Sequence, residues 1–217
     1  MQFVKMVQFT RLVKIDGRLR EFNFRKLKSK VKKIYCSLGV SSHLKHWGIN
    51  ETIITEMDWW QTEQLEENIS LIAAPARHFS GRGLKRAQTL WSSFILKTAK
   101  HNIFLGGDSG YDSHFKEIGK KYGPFDIAIL ETGQYNTMWP LIHMMPEETV
   151  QAAIDLKAAS LLPVHWGKFT LALHAWDEPI KRVLEKAKSL NMKVHVPKIG
   201  EPFTPGNGFS TINWWEI

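Results

Sequence analysis

The feature that most constrains the fold of this sequence is a short apolar strand that ends in two glycines and an aspartate. Ile103 to Leu105 predict a buried strand, and Gly106 and Gly107 let the backbone turn sharply and approach another group closely. Asp108 stands at the tip of that turn. A carboxylate at the end of a buried strand is costly unless a positive or protonated group meets it. The sequence therefore predicts a partner for Asp108 elsewhere in the chain.

The basic charge of the chain is confined to its first segment. The chain of 217 residues has a formal net charge of +8, but residues 1–33 carry eleven lysines and arginines against two acids. Residues 34–217 are close to neutral, with 18 basic and 19 acidic residues. We therefore predict a basic N-terminal segment, 1–33, followed by one domain over 34–217. The segment is either a solvated extension or an arm that touches nucleic acid or anionic lipid; nucleic acid is not the expected partner.

The cysteine count and the apolar runs of the sequence bear on the cellular compartment. A lone cysteine, Cys36, excludes an internal disulfide and favours a reducing compartment, so we expect a cytoplasmic protein. No run of 18 apolar residues predicts a membrane span, and the N-terminus lacks the apolar stretch of a secretory signal. A peripheral position at a membrane surface is compatible with these features.

Strands alternate with helices after the basic segment, which predicts an α/β layered domain. In such folds, ligands bind beyond the carboxyl ends of the strands. The predicted strands are 34–38, 52–57, 68–76, 89–97, 102–105, 125–130, 161–164 and 192–196, and the predicted helices are 41–47, 111–122, 146–159 and 178–191.

Three predicted strand ends carry residues of the kind that bind metal ions. They are His78, Asp108 and His165, and each stands close to glycine or another small residue. Taken singly, each has a structural explanation: a surface histidine, an Asx turn and a satisfied core histidine. Repetition of one pattern at one sheet edge favours a metal site, because imidazole and carboxylate are the usual ligands of catalytic zinc and related ions.

The remaining histidines are weaker candidates, with one exception. His143 lies in a loop just before a helix N-terminus, where a neutral imidazole or a bound anion is favoured. His174 is a similar loop candidate. We predict surface positions for His101 and His114, and a structural role for His195 in the final strand.

The ordered set of motifs resembles the metallo-β-lactamase-fold hydrolases, in the branch that contains N-acylphosphatidylethanolamine phospholipase D and its bacterial relatives. The segments that carry the resemblance, between residues 32 and 203, are SLGVSSHLKHWGI, APARHFSGRG, FLGGDSGY, ILETGQYN, HMMPEETVQAA, LLPVHWGKFTLALHAWDEP and GEPF. The resemblance implies a four-layer αβ/βα sandwich with one or two zinc ions at the sheet edges. It implies that His78, Asp108 and His165 are metal ligands, with Asp108 bridging the ions. His143, near the reacting phosphate, and Asp108 are the implied catalytic residues.

One family motif is missing from the sequence. The HxHxDH motif does not occur, because no histidine precedes His43. The resemblance then implies an incomplete sandwich, made of the C-terminal half and part of the first sheet, with an exposed apolar face that favours self-association.

Two functions remain open at this point. The first is a metal-dependent, phospholipase D-like hydrolase of a small-molecule or lipid phosphodiester. The alternative is a truncated, catalytically impaired or inactive fragment of such a hydrolase, because three protein ligands leave two ions under-coordinated.

Overall fold

The fold was analysed in a computed structural model, which describes residues 30–79, 88–167, 172–202, 204–205 and 213–216. Residues 1–29 of the basic segment lie outside this range, so the predicted boundary before residue 34 stays a prediction. The strands are β1 (Ile34–Ser37), β2 (Ile54–Met57), β3 (Thr62–Glu66), β4 (Ile69–Pro75), β5 (Ser92–Lys97), β6 (Asn102–Gly107), β7 (Ile127–Glu131) and β8 (Leu161–Val164). The helices are α1 (Ser41–His46), α2 (His114–Tyr122), α3 (Pro146–Asp155) and α4 (Glu178–Ser189), with short 3-10 turns at Glu51–Ile53 and Trp214–Glu216.

The strands form two sheets. Strands β1 and β2 make a parallel pair, and the other six form one sheet in the order β3-β4-β5-β6-β7-β8. Pairing is antiparallel from β3 to β6 and parallel from β6 to β8. Strands β4, β6, β7 and β8 therefore run in one direction. Their carboxyl ends meet at one edge of the sheet, which we call the carboxyl edge.

Alternating side chains of β4 show how the layers stack. Leu71 and Ala73 pack with Tyr35 of β1 and Met57 of β2, whereas Ile72 belongs to the cluster that includes the buried residues of α2, α3 and α4. On the far side of the small sheet, β1 packs against α1 through a third buried cluster, which contains Val31, Ile34, Cys36, Val40, Leu44, Trp47 and Ile49. The order is helix, sheet, sheet, helices, so the predicted αβ/βα sandwich is confirmed.

The three largest differences from the sequence prediction concern β3, the expected final strand and α3. Strand β3 was not predicted, because its sequence TEQLE is mostly polar and lies at the edge of the sheet, where there is little apolar signal. The expected final strand, 192–196, contributes one isolated bridge between Leu161 and Val194. Helix α3 ends at Asp155 rather than at 159, and Lys157 just beyond it has a positive φ of 57°.

The structure also bears on the expected absence of a membrane span. Across the described ranges, no helix is both long enough and apolar enough to cross a bilayer.

Candidate metal centre

Asp108 is placed at the carboxyl edge by the turn that ends β6. Gly107 adopts a φ of +69°, a conformation that favours glycine, and Gly106 packs so closely on β7 that a Cβ there would lie 2.7 Å from a methyl of Leu130. The turn leaves Asp108 only 4% exposed. A carboxylate this deeply buried must be met by polar or positive groups.

His165 reaches Asp108 from the end of β8. Its Nε2 lies 3.6 Å from Oδ1 of Asp108. His165 has a φ of +67°, a strained backbone conformation for a side chain of this size, and such strain persists where the surroundings enforce it. Gly133, two residues after β7, lies against it, since a Cβ on Gly133 would be 2.1 Å from the His165 carbonyl oxygen. The absence of a side chain at 133 is therefore what lets the β7 and β8 ends meet.

His78 is joined to the Asp108 turn through its neighbour Arg77. The Arg77 N–H donates to Oγ of Ser109 at 2.9 Å, and the Arg77 carbonyl accepts the N–H of Gly110 at 2.8 Å. Nδ1 of His78 lies 2.9 Å from the carbonyl oxygen of Phe79. Because a carbonyl only accepts, Nδ1 carries the hydrogen and Nε2 is the acceptor nitrogen of the ring.

His143 enters the same edge on the loop that precedes α3. That loop crosses the Asp108 turn at Gly110, where a Cβ would lie 2.1 Å from the Leu141 carbonyl oxygen. His143 is 3% exposed, and its Nδ1 lies 3.2 Å from Oε1 of Glu131. Glu131 ends β7 and is fully buried. In the sequence, Glu131 is only the polar residue after an apolar run, and the one signal that could have found it is its likeness in position to Asp108.

Three of the four residues predicted for the site form one compact group, and the fourth, His165, reaches it through Asp108. Ligand atoms of His78, Asp108 and His143 all lie within 4.8 Å of one another. His165 adjoins them through Asp108, and its ring centroid is 5.7 Å from that of His143. A donor set of imidazoles and one carboxylate in this space fits zinc or a similar transition metal.

His174 and His114 have other roles than metal binding. Nε2 of His174 accepts the N–H of Gln134 at 3.3 Å and its Nδ1 lies 2.9 Å from the Ala175 carbonyl, so both ring nitrogens are engaged. His114, predicted at the surface, is half-buried. Its ring packs on Phe115 with the centroids 4.1 Å apart, and burial lowers the pKa of His114 to about 4.

An ion-pair network fixes the start of α3 relative to α4. Arg182 donates to both carboxylate oxygens of Glu147, at 2.9 and 2.8 Å, and also contacts Glu178 at 3.1 Å. Tyr135 donates to Glu178 at 2.6 Å, and this bond together with Arg182 lowers the pKa of Glu178. The network holds the two ends of the His143 loop, at Tyr135 and at Glu147.

The layered fold with a cluster of possible metal ligands at one sheet edge is the arrangement of a metal-binding α/β protein. A sequence model of the Beta-lactamase superfamily domain matches residues 18–166, and the chain belongs to that family. An uncharacterized protein of Mycobacterium tuberculosis is 44% identical over 183 residues, which are 83% of this chain and 49% of that protein. The mitochondrial N-acyl-phosphatidylethanolamine-hydrolyzing phospholipase D of Saccharomyces cerevisiae is 32% identical over 174 residues, 75% of this chain and 37% of that enzyme. The resemblance drawn from the motifs is confirmed.

Solved structures agree with this assignment of the fold. Igni18, a metallo hydrolase from Ignicoccus hospitalis, superimposes with a TM-score of 0.66 at 16% identity, over 93% of this chain and 76% of that one. At this identity the likeness concerns the fold alone. The chain spans about half the length of the mycobacterial relatives that it matches.

Proposed function

We propose that this chain is a metal-dependent hydrolase of phosphodiesters, similar to phospholipase D, with a zinc ion held by His78, Asp108 and His165. The observation that carries the proposal is that ligand atoms of His78, Asp108 and His143 lie within 4.8 Å of one another, with His165 3.6 Å from Asp108. Relatives named phospholipase D in yeast and Caenorhabditis elegans support the choice of a phosphodiester.

Each residue has a distinct role in the proposed reaction. A bound zinc ion supplies Lewis-acid polarisation of the phosphoryl group. Asp108 contributes the negative charge that holds the ion, and its burial keeps that charge poorly screened. His143, adjacent to His78 and Asp108, accepts or returns a proton at the reacting oxygen through Nε2.

Exposed apolar side chains around the site favour a lipid substrate. We call them the apolar rim, and they are Phe79, Met138, Leu141, Leu173 and Trp176. All stand on loops that follow strands ending at the carboxyl edge, and Leu173 is 88% exposed. Apolar groups of this size near a polar site mark a surface that receives an apolar partner. A lipid phosphodiester, met at a membrane surface by a peripheral protein, fits both the rim and the site.

The alternative is a chain that has the hydrolase fold without turnover. The absence of an HxHxDH motif from the sequence favours it, because that motif would add further ligands. The three ligands that remain then hold one ion weakly.

Metal content and turnover together test the proposal. The purified chain is saturated with zinc, analysed by inductively coupled plasma mass spectrometry, and assayed with bis(p-nitrophenyl) phosphate and with phosphatidylethanolamine vesicles. We expect bound zinc and turnover, both lost in Asp108→Ala. Asp126→Asn is the matched control, because Asp126 accepts the Asn102 N–H at the opposite end of β6. Zinc without turnover would establish the alternative, and a chain that binds no zinc would overturn the proposal.

A further inference from the structure

Ser109 carries a buried hydroxyl that the proposed reaction does not use. It stands between Asp108 and Gly110, and its side chain is 1% exposed. Oγ accepts the Arg77 N–H at 2.9 Å and donates to the Gly110 carbonyl at 2.9 Å. The hydroxyl thus acts both as a donor and as an acceptor, as hydroxyls in buried positions commonly do. Ser109 therefore joins the residue before His78 to the turn that carries Asp108.

We propose that Ser109 is the positioning residue that holds His78 beside Asp108. Its hydroxyl fixes the backbone of Arg77 to the turn after β6, and the imidazole of the next residue then reaches the group of ligand atoms at the carboxyl edge. The use of this placement for zinc binding rests on the proposed function, but the placement itself does not.

The position of Arg77 beyond the end of β4 explains why a side chain is needed there. The pairing of β4 with β5 ends at Pro75, and Arg77 lies two residues further on. Its N–H bonds to the Ser109 hydroxyl and its carbonyl accepts the Gly110 N–H at 2.8 Å, so the hydroxyl takes the place that a main-chain carbonyl has in a sheet. Two bonds fix the orientation of a residue, whereas one leaves it free to rotate. Loss of the hydroxyl would also leave a partly buried N–H without this acceptor, which is costly.

A second contact between the same two segments is weaker. Nη1 of Arg77 lies 2.6 Å from Oδ2 of Asp112, but the two side chains are 39% and 44% exposed. Water and salt screen an ion pair at this exposure, so that it contributes little to the position of the segment. Of the two side-chain contacts, the buried one at Ser109 is therefore the one on which the placement of His78 depends.

Nuclear magnetic resonance of the metal-free chain tests the placement directly. The ring centroids of His78 and His143 are 5.3 Å apart, so we expect a nuclear Overhauser contact between their ring protons. The signals are identified by their loss in His78→Gln and in His143→Gln. The contact should be lost in Ser109→Ala. Ser160→Ala is the matched control, because the buried Ser160 hydroxyl donates to the Asp126 carbonyl at 2.9 Å at the opposite edge of the sheet, and this variant should keep the contact.

Three results would overturn the inference. They are a wild type without the contact, a contact of undiminished intensity in Ser109→Ala, and an equal loss in Ser160→Ala. Amide exchange of the wild type adds a measurement that holds even if Ser109→Ala fails to fold. The Arg77 N–H should exchange as slowly as that of Ala73, which bonds to the Gln61 carbonyl within the sheet, and fast exchange at Arg77 would contradict the inference as well.

Zinc affinity provides an independent measurement. Ser109→Ala should bind zinc at least about tenfold more weakly than the wild type, in competition with a chromophoric chelator. The same substitution should add no further loss in a His78→Ala background, because its effect is exerted through His78. An equal loss in that background would show that Ser109 acts only on the general structure. The resonance and exchange measurements need neither zinc nor substrate, so a chain that binds no zinc would contradict the proposed function and leave this inference to be decided by them.

Discussion

Replacing Gly133 by alanine should damage the metal centre by moving His165. An alanine Cβ at 133 would lie 2.1 Å from the His165 carbonyl oxygen, whereas real Cβ contacts stay above 3.0 Å. The ends of β7 and β8 must then separate by about 1 Å, which is several times the tolerance of about 0.2 Å for metal–ligand distances. We expect Gly133→Ala to cost about 1–3 kcal/mol of stability through overpacking. Its zinc affinity should fall at least about tenfold.

A second glycine provides the control for this prediction. Gly119 in α2 packs on α3, and a Cβ there would lie 2.1 Å from the Asp155 carbonyl oxygen, the same overlap away from the carboxyl edge. Stability is measured by urea unfolding without metal, and zinc affinity by competition with a chromophoric chelator. Gly119→Ala should lose stability but keep its zinc affinity. Wild-type affinity in Gly133→Ala, or an equal loss in Gly119→Ala, would refute the reasoning.

The remaining predictions concern pH, lipid and metal. Burial lowers the pKa of His114 from 6.5 to about 4, so between these values the unfolded chain binds a proton that the folded chain does not. Stability should fall as the pH drops through that window, by up to about 3 kcal/mol for this group. Urea unfolding of His114→Gln should lack that part of the pH dependence, and an unchanged slope would contradict it. Leu173→Asp should weaken sedimentation with phospholipid vesicles, whereas Leu190→Asp, at the far end of α4, should not; equal effects would exclude the apolar rim as the contact. Zinc at about 100 times its Kd should stabilise the wild type by about 2.7 kcal/mol, measured by calorimetry, and should leave the Tm of Asp108→Ala unchanged. A rise in that variant would place the ion elsewhere.

Much of this fold follows from local signals in the sequence. Glycine pairs and apolar runs predict the strands β4 to β8 and the direction in which they run. The proline predicts the start of α3. Each of these signals acts within a few residues. Strand β3 could not be predicted, since its polar residues are ordered by pairing with β4 rather than by burial. Pairing between segments that are far apart in the sequence gives little signal in the residues of one polar strand.

The residues of the site also fall into those that the sequence predicts and those that it does not. Asp108, His165 and His78 could be found because each follows a strand, and parallel strand directions bring their ends to one edge. Glu131 could not be distinguished from an ordinary strand end, because Met144 and His143, which lie close to it, belong to the next loop of the chain. The partial burial of His114 likewise depends on how α2 packs, which the sequence around it does not show.

The position of the bound ion tests the central claim most directly. Crystals of the zinc-loaded chain, measured at the zinc absorption edge, would locate the metal by anomalous scattering. The account predicts a peak about 2.0–2.2 Å from ligand atoms of His78, Asp108 and His165 at the carboxyl edge. A zinc peak held by other residues, with these three side chains turned away from it, would contradict the account.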